Sequence, residues 1–408
     1  MQGKMMPLSE RERIVSIDIL RGFAILGIFL VNMPALFSPF LYLNPETYWK
    51  EGIDQTLHAF VDIFGQASFY PLFAFLFGYG AIMIAERSKI KELSFPRLFV
   101  RRLFILLVFG CIHAFLIWHG DILITYAITG FMFMLFYKCK GKTLLITGLL
   151  VYVIPFALLS SLSFLTLLLS DMNASELLYN EEAVLASLKV YSEGSFSEIT
   201  SQRIQDWMYT NGPANAWLLI INILPLMLLG AAFAKQGWLV DIKKNKKLLT
   251  RLMFVGLIGG LFLKVLPYIY GLNFANLLIQ DQFGGPLLAL FYMTFFVLIL
   301  QNRAIYKLLK PLANVGRMSI SNYLLQSIVF TWIFYGYGFG LYGDISYVFG
   351  FVLVFVFYSV QIILSKWWLA RYQYGPVEYI WRWGTYGQKP NFKRERNEEN
   401  EAINSRVE

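Results

Sequence analysis

The sequence predicts an all-α fold, a polytopic integral membrane bundle of about ten transmembrane helices with both termini cytoplasmic. Three observations carry this. Of 408 residues, 57% are apolar and 15% charged, against roughly 25% charged in an ordinary soluble domain. Mean hydropathy is +0.55. The apolar residues gather into ten runs, each near the ~20 residues a helix needs to cross a ~30 Å hydrocarbon core. The basic residues between the runs are unevenly shared between the two sides. This composition excludes a soluble enzyme, a disordered chain and a fibrous repeat. Two cysteines, Cys111 and Cys139, exclude a disulfide framework and a cysteine-rich metal site.

The runs are 15–38, 58–85, 103–119, 121–137, 143–169, 216–234, 250–271, 284–301, 313–337 and 345–370. The first follows polar Ser9–Glu10–Arg11–Glu12–Arg13 and is too long for a cleavable signal peptide. Only His119–Gly120 divides the third run from the fourth, so the two read as a helical hairpin. With the amino terminus and every second loop assigned to the cytoplasm, that side holds 31 of the 35 Lys and Arg. The bias is a positive-inside signal. The net charge of +9 is therefore topological, and no nucleic-acid partner is expected.

Four regions follow from this. Residues 1–169 form an amino-terminal membrane half. Residues 170–215 form an external loop with seven acidic and two basic residues, long enough to cover an outer cavity. Its Trp207, Tyr209, Asn211 and Pro213 suit either a lid or an interfacial turn. Residues 216–388 form a second membrane half, ending in aromatic, amphipathic Gly375–Trp383, which suits the inner interface. The charged tail 389–408 is expected to be disordered.

Polar groups inside spans are costly, so each is a functional candidate. Asp18 and Arg21 share a helix face near the cytoplasmic end of the first run, as an anchor or as part of a site. Asn32 lies eleven residues beyond Arg21, and His113 eleven beyond Arg102. Both are then roughly 16 Å deeper, at one level. His58, Asp62 and Gln66 form a stripe at the start of the second run. His119 and Asp121 sit at the outer tip of the hairpin. A His with a carboxylate partner can act as a general base. Asp121 can equally cap a helix amino end. Histidines this far apart make a weak zinc signature, and no metal is expected. Ser319, Asn322 and Gln326 form a ninth-run stripe, with Arg317 at its cytoplasmic entrance. Such a stripe faces helices or a cavity. Lys264 is expected to snorkel outward. The glycines of Phe73–Gly80 suit close helix packing, and no phosphate-loop or serine-hydrolase elbow spacing is present.

Several segments in order resemble the YeiB-like bacterial membrane proteins. They are Ser16–Ala24 followed by Asn32, Leu72–Gly80, His113 through Trp118–Leu123, Asn322–Gln326 and Gly375–Glu378. The similarity runs nearly end to end, and the carboxyl half looks like that family's domain of unknown function. The amino half looks like the wider transmembrane acyltransferases, which include heparan-α-glucosaminide N-acetyltransferase and the acyltransferase-three proteins. Asp18 and Arg21 match the Asp-x-x-Arg-Gly start of their first helix. The acyltransferase-three pattern places a catalytic His fourteen residues after that Asp, where this chain has Asn32. The heparan enzyme also has Asn there, with its His before the second helix, close to the place of His58.

The resemblance implies a transmembrane acyltransferase of the bacterial plasma membrane. Its donor substrate is cytoplasmic acyl-CoA, and its acceptor is an extracytoplasmic glycan or lipid. The base is His58 by resemblance, His113 by depth or His119 by outer position. Arg97, Arg101, Arg102 or Arg317 would take the donor phosphates, and Asn32 or Gln66 a developing oxyanion. The alternative is a transporter or lipid-handling protein without acyl chemistry, which the spans and internal polar residues fit as well. The partners expected are the bilayer, acyl-CoA and the acceptor, with room for a homo-oligomer.

Overall fold

Helices follow one another with short connections. They begin with α1 (Val15–Phe37), α2 (Pro45–Tyr48), α3 (Gly52–Phe64), α4 (Phe69–Ile90) and α5 (Phe95–Ile112). A π-turn, His113–Ile117, extends α5 and leads to α6 (Leu123–Phe133) and α7 (Gly141–Leu169). Next come α8 (Glu181–Glu193), α9 (Phe196–Asn211), α10 (Pro213–Gln236) and α11 (Ile242–Tyr270). A second π-turn, Gln280–Gly284, joins α12 (Phe274–Ile279) to α13 (Gly285–Ile299). The chain ends with α14 (Arg303–Leu309), α15 (Leu312–Arg317), α16 (Ser319–Phe334), α17 (Tyr347–Arg371) and α18 (Pro376–Tyr386). This computed structural model describes residues 14–49, 52–169 and 179–394. Residues 9–13 before the first run, 170–178 of the outer loop and 395–408 of the tail lie outside the described residues.

Among the described residues, eight helical stretches are long and apolar enough to cross a membrane. They are Val15–Phe37, Gly52–Ile90, Phe95–Ile117, Gly141–Leu169, Pro213–Gln236, Ile242–Tyr270, Phe274–Ile299 and Tyr347–Arg371. The other two apolar runs are helical as well, but shorter: α6 has 11 residues and α16 has 16. The chain is a multi-pass membrane protein built as an all-α bundle. Helices α7 and α11 are largely uncovered, with Leu158, Leu162, Ile258 and Phe262 exposed. Apolar side chains pointing away from the bundle are what a lipid solvent permits.

Close glycine contacts hold the centre. A Cβ on Gly78 of α4 would lie 1.9 Å from the Met227 carbonyl oxygen of α10. One on Gly230 would lie 1.9 Å from that of Phe75. The two backbones touch, as small residues allow in membrane bundles. Gly22 and Gly316 do the same for α1 and α15, fixing the start of α1 and with it Asp18 and Arg21.

Two predicted spans are broken. Run 58–85 splits at residues 65–68, where the Gly65 and Gln66 amides both reach the Val61 carbonyl and Ala67 adopts φ +54°. The His58, Asp62, Gln66 stripe therefore stops at Asp62, because Gln66 sits in the break. Run 313–337 splits at Met318, and α16 restarts under a cap from Glu378. Its carboxylate accepts from the Ile320 and Ser321 amides at 2.8 and 3.1 Å and from the Ser321 hydroxyl.

The outer loop is largely helical. Asn180 caps α8, and a Ser195–Glu198 capping box starts α9. Helix α9 packs on the first π-turn, so this region covers the outer end of the bundle. The tail departs from the disorder expected of it at its beginning. There Gln373 and Arg394 amides bond Phe392 and Arg371 carbonyls, and Phe392 packs on Tyr372 and Tyr379. Those contacts give residues 389–394 the partners that charge alone did not suggest.

The basic segments share one face. Lys235 Nζ donates to the Tyr137 and Cys139 carbonyls, and Arg102 stacks 3.4 Å over Trp381 of α18. The start of α1 lies against α15 on the same face. The Lys and Arg bias assigns this face to the cytoplasm.

Candidate active site

Helix α5 is regular up to Ile112. There the ladder widens, and the Trp118 amide bonds the His113 carbonyl at 2.8 Å. A π-turn inside a helix re-aims the side chains it carries and recurs at functional sites. His113 is its first residue and is fully buried. Residues 118–122 then fold back, bringing Asp121 to His113: Nδ1 and Oδ1 are 2.9 Å apart. The other Asp121 oxygen accepts from the Ile124 amide at 2.8 Å. The carboxylate thus does both things its position suggested, since it caps α6 and holds the imidazole.

The far side of the ring meets α16. His113 Nε2 lies 2.9 Å from Ser327 Oγ. Both ion-pair side chains, His113 and Asp121, have no solvent exposure. Tyr323, one turn before Ser327, stacks beside the imidazole at 4.9 Å and donates to the Gly120 carbonyl at 3.0 Å. In the Nδ1–H tautomer the ring donates to Asp121, and Nε2 accepts the Ser327 O–H. Hydroxyl, imidazole and carboxylate stand in the order of a nucleophilic triad.

A second layer lies outside it. Asp206 of α9 accepts from Tyr191 at 2.6 Å, Tyr42 at 2.7 Å and Gln202 at 2.8 Å. His119 Nδ1 is 3.7 Å from the same carboxylate. Burial pushes the His119 imidazole below its ordinary pKa, and the Asp206 charge partly opposes this. Ser38, Phe40, Tyr42, His119 and Asp206 line a closed crevice here, too tight to hold a water molecule. Arg203, fully buried, donates to the Phe115 carbonyl at 3.2 Å. The outer helix α9 therefore pins the turn that carries His113.

A third cluster surrounds Lys264, which does not snorkel. It is fully buried, with Nζ 3.0 Å from the Gln66 carbonyl and 3.3 Å from Asp281. Local acceptors remove its need for water. Asp62 accepts from Gln280 at 2.6 Å and Tyr268 at 2.9 Å. His58 lies among the rings of Trp49, Tyr347 and Phe40.

The remaining candidates fall elsewhere. The amides of Asn322 and Gln326 face α17: Asn322 meets Ser365 at 3.1 Å and Gln326 meets Gln361 at 2.8 Å. The ninth-run stripe is thus turned to a helix. Asp18 and Arg21 pair at 3.4 Å on the cytoplasmic face, which also holds Arg101, Arg102 and Arg317. Asn32 is half-buried on α1, and no described hydrogen bond joins it to His113. The shared level does not become a contact.

Ser327, Asp206 and Arg203 were missed as site residues. Ser327 follows Gln326 and so falls off the stripe that drew notice. No spacing links it to His113, 214 residues away. Asp206 and Arg203 lay in what read as a loop.

Fold and site together define a multi-pass α-helical membrane protein with a dry Ser–His–Asp chain near one end of the bundle. Residues 233–388 match the family described as "Protein of unknown function (DUF418)". "Uncharacterized protein YxaH" of Bacillus subtilis (strain 168) is 38% identical over 399 residues, covering 94% of this chain and 97% of that protein. "Uncharacterized protein YeiB" of Escherichia coli (strain K12) is 30% identical over 389 residues, covering 91% and 96%. The chain belongs to the YeiB-like family. The matched segment carries Ser327 and Glu378, whereas His113 and Asp121 lie before it.

Proposed function

We propose that this protein is an acyltransferase of the bacterial plasma membrane. It would move an acyl group, acetyl in the simplest case, from cytoplasmic acyl-CoA to a hydroxyl or amine of an extracytoplasmic sugar, lipid or wall polymer. The observation that carries this reading is the Ser327–His113–Asp121 chain, with 2.9 Å at each link. Acyl transfer needs a proton taken from an oxygen or nitrogen nucleophile and returned to a leaving group. A neutral imidazole held by a buried carboxylate does both.

The two faces suit the two substrates. Arg21, Arg101 and Arg102 on the basic face offer positive charge to the donor's phosphates. From Arg102 to His113 the helix rises roughly 16 Å, a distance the extended pantetheine arm covers. The acceptor would approach from the opposite end, beside His119 and Asp206, where the crevice between them would have to widen. The side chains of the chain are closed off in this structure, so substrates reach them only when the helices around Ser327 part.

A second reading, a transporter or lipid handler, draws on the pair that fully buried Lys264 makes with half-buried Asp281, because ionisable groups inside a membrane bundle mark ion pathways. It requires substrate movement that survives loss of all three histidines.

Calorimetry with acetyl-CoA and the full-length protein in detergent separates these. Saturable binding, lost in Arg21→Ala and kept in His113→Ala, supports a cytoplasmic donor site apart from the catalytic group. No binding of acetyl-CoA or longer acyl-CoAs by folded wild type would sink the donor assignment.

A further inference from the structure

We propose that Ser327 is a covalent way-station, acylated on Oγ during each turnover. This rests on the acyl-transfer reading and adds a two-step route to it.

Both ring nitrogens of His113 are engaged. Nδ1 is committed to Asp121 and Nε2 to the Ser327 hydroxyl. The imidazole therefore has no basic site left for an incoming acceptor. The proton within its reach is that of Ser327. Asp121 cannot swing to offer another arrangement, because its second oxygen is tied to the Ile124 amide. Tyr323 closes one side of the ring and is itself anchored to Gly120. Ser327 is thus the group this geometry activates.

Position supports the same conclusion. Donor and acceptor come from opposite faces, and Ser327 lies in the middle of α16, eight residues from its capped start. A serine there can receive the acyl group from one side and release it to the other, so the two substrates need never meet. Ser327 is only 2% exposed, and a dry site protects an ester from hydrolysis between the steps.

The chemistry balances. In the first step Ser327 Oγ attacks the thioester carbonyl carbon while its proton passes to His113 Nε2. The carbon–sulfur bond breaks, and the thiolate takes that proton and leaves as the free thiol of coenzyme A. The acyl group is then an ester on Ser327. In the second step the acceptor's O–H or N–H gives its proton to Nε2, and the oxygen or nitrogen attacks the ester carbon. The bond to Ser327 breaks, and Oγ recovers the proton. No oxidant, reductant or further reactant is needed.

The test uses the full-length protein in lipid nanodiscs, radiolabelled acetyl-CoA, an acid quench and peptide mass spectrometry, with thiol release measured in parallel. Wild type should carry one acetyl group on the peptide containing Ser327. Ser327→Ala should lose the label and slow thiol release by about 10³-fold or more. Ser327→Cys, which preserves size and covers the case in which the Ala variant fails to fold, should keep a label that neutral hydroxylamine removes, as expected of a thioester. Thiol release by an unlabelled wild type, or by a Ser327→Ala variant at near wild-type rate, would overturn the covalent step and leave acyl transfer standing. Neither label nor thiol release from folded wild type would overturn both.

Discussion

Two polar clusters in this bundle are built alike and differ in what they can do. Each sits at a π-turn, His113–Ile117 in one case and Gln280–Gly284 in the other. Each gathers side chains from separate helices around one fully buried group, His113 or Lys264. Around Lys264 a fixed positive charge meets a carboxylate and backbone carbonyls, so every partner is a static acceptor. Around His113 a hydroxyl, an imidazole and a carboxylate stand in line, and a proton can move along them without leaving charge unpaired. The first arrangement locks helices across the break at residues 65–68. The second is suited to chemistry. A polar group in a membrane is therefore informative through the order of its partners rather than through its mere presence.

The largest effect expected is on the chemical side. Asp121→Asn keeps an oxygen for the Ile124 amide but presents its amide hydrogens to Nδ1, forcing the wrong tautomer. Acyl transfer should fall by about 10³–10⁴-fold with little change in the melting temperature. Equal losses of activity and stability would make the chain a structural lock.

Lys264→Met should do the reverse. It leaves the half-buried Asp281 carboxylate and the Gln66 carbonyl without their partner, which costs about 1–3 kcal/mol. Thermal unfolding in detergent should shift down sharply, while thiol release per folded molecule stays near wild type. Loss of turnover in well-folded Lys264→Met would favour the transport reading.

A smaller loss is expected at the cap. Glu378→Ala removes the acceptor for the first amides of α16 and should cost about 1–2 kcal/mol. Hydrogen exchange would show it as lost protection at Ile320 and Ser321, the two amides that Glu378 holds.

The smallest effect is a pH dependence at His119. The unfolded chain takes up this proton near 6.5, and the folded chain only at lower pH because burial disfavours the charged ring. Stability from neutral His119 is full above that value and declines as pH falls below it. Melting temperatures between pH 8 and pH 5 should fall toward acid, and His119→Gln should flatten the curve. A wild-type curve already flat across that range would place the proton elsewhere.

Much of the fold was legible in the residues themselves. All ten apolar runs are helical, and the basic segments share a face, because lipid solvent writes itself directly into composition. The breaks were not legible. Ala67 carries no sign of its positive φ, and α16 is capped by Glu378, 57 residues after Ser321. The glycines of Phe73–Gly80 did announce close packing, and Gly78 provides it. Of the triad, His113 and Asp121 were each readable as candidates, one with Asn32 and the other with His119, but their pairing depends on the fold-back at residues 118–122. Ser327 was not, because only tertiary packing brings it to the ring. Lys264 misled for the same reason, since its acceptors come from distant helices.

The most direct measurement is thiol release from acetyl-CoA by the full-length protein in nanodiscs, comparing wild type with His113→Gln, with acetyl-CoA binding followed beside it. Wild type should release thiol, and His113→Gln should bind acetyl-CoA without releasing thiol. Equal release by folded His113→Gln, or saturable binding with no release by wild type under any acceptor tried, would contradict this.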